Sequence, residues 1–83
     1  MEKILELLDK AMQNARILAI VEFDPGLFLF TSALQQLIRK GQEVLKKKKT
    51  ASDRGQWACS AALMLTEWDR YLLEKGVSNE SLT

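Results

Sequence analysis

The sequence predicts an all-α protein, a small antiparallel three-helix bundle with helices at about residues 2–23, 25–48 and 51–75. Three observations support this fold class. Apolar residues recur every three or four positions along most of the chain, which is the spacing of one helix face. Two junctions, Asp24-Pro25-Gly26 and residues 46–53, interrupt that spacing. The chain has 83 residues, enough for one domain, and short junctions between long helices favour antiparallel neighbours.

The first predicted helix is amphipathic over most of its length and ends before a proline. Pro25 disfavours helical geometry in the residue before it, so this helix should end by Phe23 or Asp24. Asp24 can cap the second helix, and Pro25 suits its first position, where a missing N–H costs nothing. The apolar stripe of the first helix consists of Ile4, Leu8, Ala11, Ala15 and Leu18; its polar face is Glu2, Lys3, Glu6, Asp9, Lys10, Gln13 and Asn14.

The second predicted helix contains Gly41 in its interior, which indicates close packing or a local bend, since glycine is otherwise unfavourable there. Its apolar stripe runs through Leu27, Phe30, Leu34, Leu37 and Val44. The junction that follows contains neither glycine nor proline. The second and third helices could therefore also form one long helix that pairs with another chain.

The third predicted helix begins after Thr50, which together with Asp53 resembles a capping box. It carries Trp57 and Trp68 on its apolar face, where tryptophan is typical of a core or a dimer interface. Gly76 suits the left-handed geometry of a helix end. Residues 1–76 are thus expected to form the helical domain, and residues 77–83 a frayed tail.

Residues 17–30, called the apolar corner below, depart from the amphipathic pattern because apolar side chains cover every side of both helix ends. A three-helix bundle buries one stripe of each helix, so some of these side chains should face water and bind a partner. Two alternatives stay open: internal burial of the corner, or a β-hairpin around the Asp-Pro-Gly turn. The expected partner-binding residues are Ile17, Ile20, Val21, Phe23, Leu27, Phe28 and Phe30.

The residue types give no indication of catalysis, and the protein is predicted to be non-enzymatic, with no cofactor, metal site or small-molecule substrate. Histidine is absent, which removes the commonest general base and a common metal ligand. Cys59, the single cysteine, has no histidine to activate it and is expected to be a buried thiol between helices. The four glycines are scattered and form no phosphate-binding loop.

A cluster of basic residues lies at the second junction, although the net charge is only +1. Cations near a helix C-terminus complement its dipole, and a lysine-rich turn is well solvated. The same cluster could instead bind phosphates, which makes a nucleic-acid-binding accessory protein the alternative function. The candidate phosphate-binding residues are Lys46, Lys47, Lys48, Lys49 and Arg54.

The leading functional hypothesis is a small helical protein–protein interaction module, a regulator, adaptor or inhibitor, that binds a partner or itself through the apolar corner. A chain this short, with no internal disulfide, needs well-packed helices or a second chain, so a homodimer is an expected state. The longest apolar run, Ile17–Val21, is too short to span a bilayer. With one cysteine and no signal-peptide pattern at the N-terminus, the expected compartment is the cytoplasm.

Overall fold

The computed structural model describes residues 2–47 and 50–77, and over these residues the protein is a three-helix bundle, as predicted. Helix α1 spans Glu2–Glu22, α2 spans Pro25–Lys46 and α3 spans Ala51–Lys75. These boundaries agree with the predicted ones within two residues; Lys48, the predicted end of the second helix, lies outside the described residues. The described residues contain no strand, so the β-hairpin alternative for the apolar corner is wrong.

The helices lie side by side and the chain reverses at each junction. Helices of 21, 22 and 25 residues are about 32–38 Å long at 1.5 Å per residue. The molecule measures 39 × 19 × 19 Å, so its long dimension is close to one helix length. Helix α1 packs mainly on α2, and α3 contacts both. The apolar corner and the end of α3 therefore lie at the same end of the bundle.

At the first junction, the structure has both the predicted end of α1 and the predicted cap of α2. Asp24 adopts an extended conformation, and its Oδ1 accepts a hydrogen bond from the N–H of Gly26 at 3.0 Å. Pro25 occupies the first turn of α2. These contacts cap α2 and hold the turn, so that only two residues separate the end of α1 from the start of α2.

At the second junction, α2 and α3 are separate helices, so the single long helix is wrong. Thr50 is extended (φ −62°, ψ 163°), and its Oγ1 accepts a hydrogen bond from the N–H of Asp53 at 3.2 Å. The Thr50 hydroxyl also donates to the Asp53 carboxylate at 3.0 Å. A capping threonine thus begins α3 without help from glycine or proline.

The core is built from one stripe of each helix and contains several small side chains. Asn14 is also fully buried, although the sequence placed it on the polar face. It lies three residues after Ala11 and four before Leu18, which puts it on the core face of α1. The core comprises Leu8, Ala11, Ala15, Leu18, Ala19, Leu27, Leu34, Trp57, Ala61, Trp68 and Leu72.

Gly41 marks a place where a side chain of α3 packs directly on the backbone of α2. A Cβ at Gly41 would lie 2.9 Å from Nε1 of Trp57 and closer still to two carbons of the same indole. The indole Nε1–H donates to the carbonyl oxygen of Leu37 at 2.8 Å. Of the two explanations for this glycine, close packing is therefore the one the structure supports.

Candidate partner-binding surface

The outer face of α1 changes from polar to apolar along its length. Successive residues of one exposed stripe are Glu6, Lys10 and Gln13, followed by Ile17 and Ile20. All five share that stripe because they are spaced by three or four positions. Only the half of the stripe next to the first junction is apolar, so the exposed apolar surface of this stripe is confined to one end of α1.

Near the first junction, six large apolar side chains from the end of α1, the junction and the start of α2 are exposed, and we call these six residues the exposed corner. With roughly 150–200 Å² for each such residue when fully exposed, their exposed fractions add to about 600–800 Å². Summed over the six residues, this is of the same order as the largest apolar patch of a typical monomer, about 300–600 Å². The six are Ile17 (43% exposed), Ile20 (64%), Val21 (68%), Phe23 (88%), Phe28 (49%) and Leu29 (74%).

Two of the seven expected partner-binding residues lie inside the bundle instead. Leu27 is 4% exposed and belongs to the core, and Phe30 is half-buried with its ring stacked on Trp68 at 5.9 Å. The reason is their position: both lie on the stripe of α2 that includes Leu34 and faces the other helices. The other five expected residues, Ile17, Ile20, Val21, Phe23 and Phe28, are exposed.

Leu29 was missed as a partner-binding candidate, although its helical position could have revealed it. It lies three and seven residues before Ser32 and Gln36, both of which are polar and lie on the face of α2 away from the core. Leu63 and Leu73 are further exposed leucines on α3, at 69% and 82%. Leu73 lies in the last turn of α3, at the same end of the bundle as the exposed corner.

Phe23 has a backbone conformation that is unfavourable for its side chain. Its φ is +51°, in the left-handed region. The N–H of Asp24 donates to the carbonyl oxygen of Ala19 at 3.3 Å. This bond, between residues five positions apart, is characteristic of a Schellman motif at a helix C-terminus. Helix α3 ends the same way, with Val77 bonded to Leu72 and with Gly76 at φ +69°. The left-handed position at the end of α3 is occupied by glycine, the favoured residue, whereas the corresponding position at the end of α1 is occupied by an exposed phenylalanine.

The end of α3 also fixes Val77, the first residue of the expected tail. Its N–H bonds to the Leu72 carbonyl oxygen at 3.0 Å, and its side chain packs against the core. Residues 78–83, the rest of that predicted tail, lie outside the described residues.

Next to Phe23 is an aromatic cleft, which we define by Leu27, Phe30, Trp68 and Tyr71. Its volume is about 310 Å³, and Asp24 and Glu67 also line it. Trp68 stacks between the rings of Phe30, at 5.9 Å, and Tyr71, at 5.7 Å. The cleft is therefore a mainly apolar, aromatic-lined pocket between the first junction and α3, with two acidic residues in its lining.

The hydroxyl of Tyr71 lies in a charged and poorly hydrated environment beside this cleft. Burial raises the pKa of this hydroxyl, Lys75 lowers it, and the negative charges of Asp24 and Glu22 raise it, with a net pKa above the usual 10.0. The Lys75 ammonium lies 5.7 Å from the centre of the Tyr71 ring. The Asp24 carboxylate is near the hydroxyl without completing a hydrogen bond.

The basic cluster lies at the opposite end of the bundle. Lys46, Lys47 and Arg54 are exposed, and Lys48 and Lys49 lie outside the described residues. The ammonium of Lys47 forms an ion pair with Glu43 at 2.9 Å. A second cleft at this end is lined by charges of both signs, Lys40, Glu43 and Asp53. This mixture weakens the positive potential that an anionic ligand would meet.

Cys59 is exposed, so the expectation of a buried thiol was wrong. It lies two residues after Trp57, and residues two apart on a helix point to different sides. Within residues 2–47 and 50–77, no three metal-ligating side chains come together. No helix in that part of the chain combines the length and the apolar character needed to cross a membrane.

Comparison with known proteins identifies no relative: no family model, curated protein or solved structure matches the chain.

Proposed function

We propose that this protein is a non-enzymatic protein–protein interaction module, a regulator, adaptor or inhibitor, which binds its partner through the exposed corner. The observation that carries the proposal is the extent of that surface. About 600–800 Å² of apolar residues faces water, close to the roughly 800 Å² that each partner contributes to a standard interface. The proposal places the interaction in the cytoplasm, where a chain with a single cysteine is typical.

The composition of the exposed corner supports this function. Its two phenylalanines, Phe23 and Phe28, are of a type enriched at interface centres. Within residues 17–30 the charged residues are Glu22 and Asp24, and the other side chains there are mainly apolar, as in interface cores, where charge is depleted. The core of the bundle is formed by other residues, so the side chains of the exposed corner are available to contact another molecule.

Site-specific photo-crosslinking in living cells tests the proposal. A photoreactive benzoylphenylalanine replaces Ile20 in the exposed corner or, as a control, Gln36 on the outer polar face of α2. We expect a covalent adduct of discrete mass from position 20 and none from position 36. The adduct should disappear with Phe28→Asp and persist with Lys46→Glu. Equal adducts from both positions, or none from position 20, would contradict the proposed function.

A second candidate, a nucleic-acid-binding accessory protein, is supported by the exposed Lys46 and Arg54 near one another in sequence at the second junction. Phosphate binding there predicts an affinity for single-stranded DNA that falls steeply with added salt. Fluorescence anisotropy with a labelled oligonucleotide measures this affinity. Under this candidate, Lys46→Glu weakens binding and Phe28→Asp does not, the reverse of the expectation for the exposed corner.

A further inference from the structure

We propose that the occupant of the exposed corner is a second copy of this chain, and that each protomer inserts Phe23 into the aromatic cleft of the other. This inference rests on the proposed function and names its partner. It is carried by three observations: the strained exposure of Phe23, the adjoining cleft, and the area of the exposed corner.

Phe23 is displayed at a position where a phenylalanine is unfavourable in the isolated chain. Its side chain is 88% exposed, and its left-handed backbone brings the Cβ too close to the following carbonyl oxygen. Gly76 shows that the same helix end forms with glycine. An exposed aromatic residue held in a rare backbone conformation is typical of a contact residue, because strain of this kind is concentrated at functional sites.

The aromatic cleft suits an inserted phenyl ring. Its volume of about 310 Å³ exceeds the ~150 Å³ of an apolar cavity known to hold benzene. Leu27 and Trp68 form its apolar base, and Phe30 and Tyr71 are half-buried beside them. The edge of a phenyl ring is partially positive, which suits a cleft whose lining includes the acidic residues Asp24 and Glu67.

The position of the cleft next to Phe23 favours a symmetric pair. Asp24 both follows Phe23 in the chain and lines the cleft, so projecting ring and cleft are neighbours on one protomer. A two-fold axis close to the first junction would bring each ring to the other protomer's cleft and form the same contact twice. The exposed corners would then lie on either side of that axis, and their summed exposed surface is of the order that each partner contributes to a standard interface.

The first experiment measures molar mass by light scattering over a hundredfold range of concentration. We expect the wild type to reach twice 9.4 kDa. Phe23→Gly removes the ring and relieves the backbone, and it should raise the dimer dissociation constant about a hundredfold or more. Leu63→Gln is the matched control, because it removes an exposed leucine elsewhere and should leave the dimer unchanged.

A mixing experiment tests the reciprocal insertion itself. In Glu67→Arg, a long cationic side chain replaces one acidic lining residue and is attracted to the other, Asp24, so that it fills the cleft. Phe23→Gly keeps the cleft but lacks the ring. Each variant alone should be monomeric where the wild type is dimeric, and an equimolar mixture should form a heterodimer that retains one of the two contacts.

The outcomes separate this inference from the proposed function. A wild-type monomer at all concentrations overturns the self-association. If the crosslinker at Ile20 then captures a different protein, the proposed function stands; if it captures nothing, both fail. A dimer that survives Phe23→Gly, or variants that stay monomeric when mixed, would overturn the insertion of Phe23.

Discussion

Replacement of Gly41 by alanine tests how closely α3 packs on α2. A Cβ there would lie within 3.0 Å of three atoms of the Trp57 indole, which is only 3% exposed and cannot move into solvent without uncovering its ring. Alanine gains about 1 kcal/mol in helix propensity. Overpacking costs about 1–3 kcal/mol, and losing the bond from Nε1 to Leu37 about 1 kcal/mol more. The net expectation is destabilisation by about 1–3 kcal/mol.

Urea unfolding, followed by circular dichroism at fixed protein concentration, measures this change. Gly55→Ala is the matched control: Gly55 is also inside a helix, but no atom lies within 4 Å of the position that an added methyl group would take, so this variant should gain about 0.5–1 kcal/mol. Trp57→Phe removes the larger indole, and in that background Gly41→Ala should no longer destabilise. If Gly41→Ala stabilises the wild type as Gly55→Ala does, the packing argument is refuted.

Three further predictions concern the ends of the helices and α3. At protein concentrations low enough to keep the chain monomeric, Phe23→Gly should raise the unfolding free energy by about 1 kcal/mol, and Gly76→Ala should lower it by a similar amount; chemical unfolding compares them. Folding raises the pKa of the Tyr71 hydroxyl, so the protonated hydroxyl stabilises the folded state. This stabilisation is complete below pH 10.0 and is lost as the pH rises through the pKa of the folded state. Tyr71→Phe should remove that alkaline loss, and since Tyr71 is the single tyrosine, ultraviolet absorbance follows its titration directly. Cys59 should react fully with a thiol reagent in the native protein, and protection until unfolding would contradict its exposure.

Local signals in the sequence were sufficient for the positions of the helices and for the ends at the first junction and at Gly76. Asp24 and Pro25 between two apolar segments, and Gly76 after a third, act through bonds to residues within a few positions. The structure forms those caps where they were expected. The position of Phe23 in a left-handed conformation was not foreseen, because a residue of that type seldom occurs there.

The apolar corner shows where local reasoning fails. Ile20 and Leu27 are both strongly apolar in the sequence, yet one is exposed and the other buried. Which of them faces the bundle depends on the rotation of each helix about its axis, and that rotation is fixed by contacts with the other helices. Cys59 and Asn14 were misplaced for a different reason, because their spacing from Trp57 and from Ala11 already puts Cys59 off the core face and Asn14 on it.

The sequence by itself determined the all-α fold class and the helix ends at Asp24-Pro25 and Gly76, because these depend on periodicity and on bonds between near neighbours. It left open whether the second and third helices are separate, and the structure decided that they are. The tertiary structure decided which apolar residues remain outside, that Gly41 makes room for Trp57, and that Phe23 lies beside an aromatic cleft. Those features join residues from different helices, and only packing brings such residues together. The proposed interface therefore depends on contacts between helices, which the tertiary structure decides.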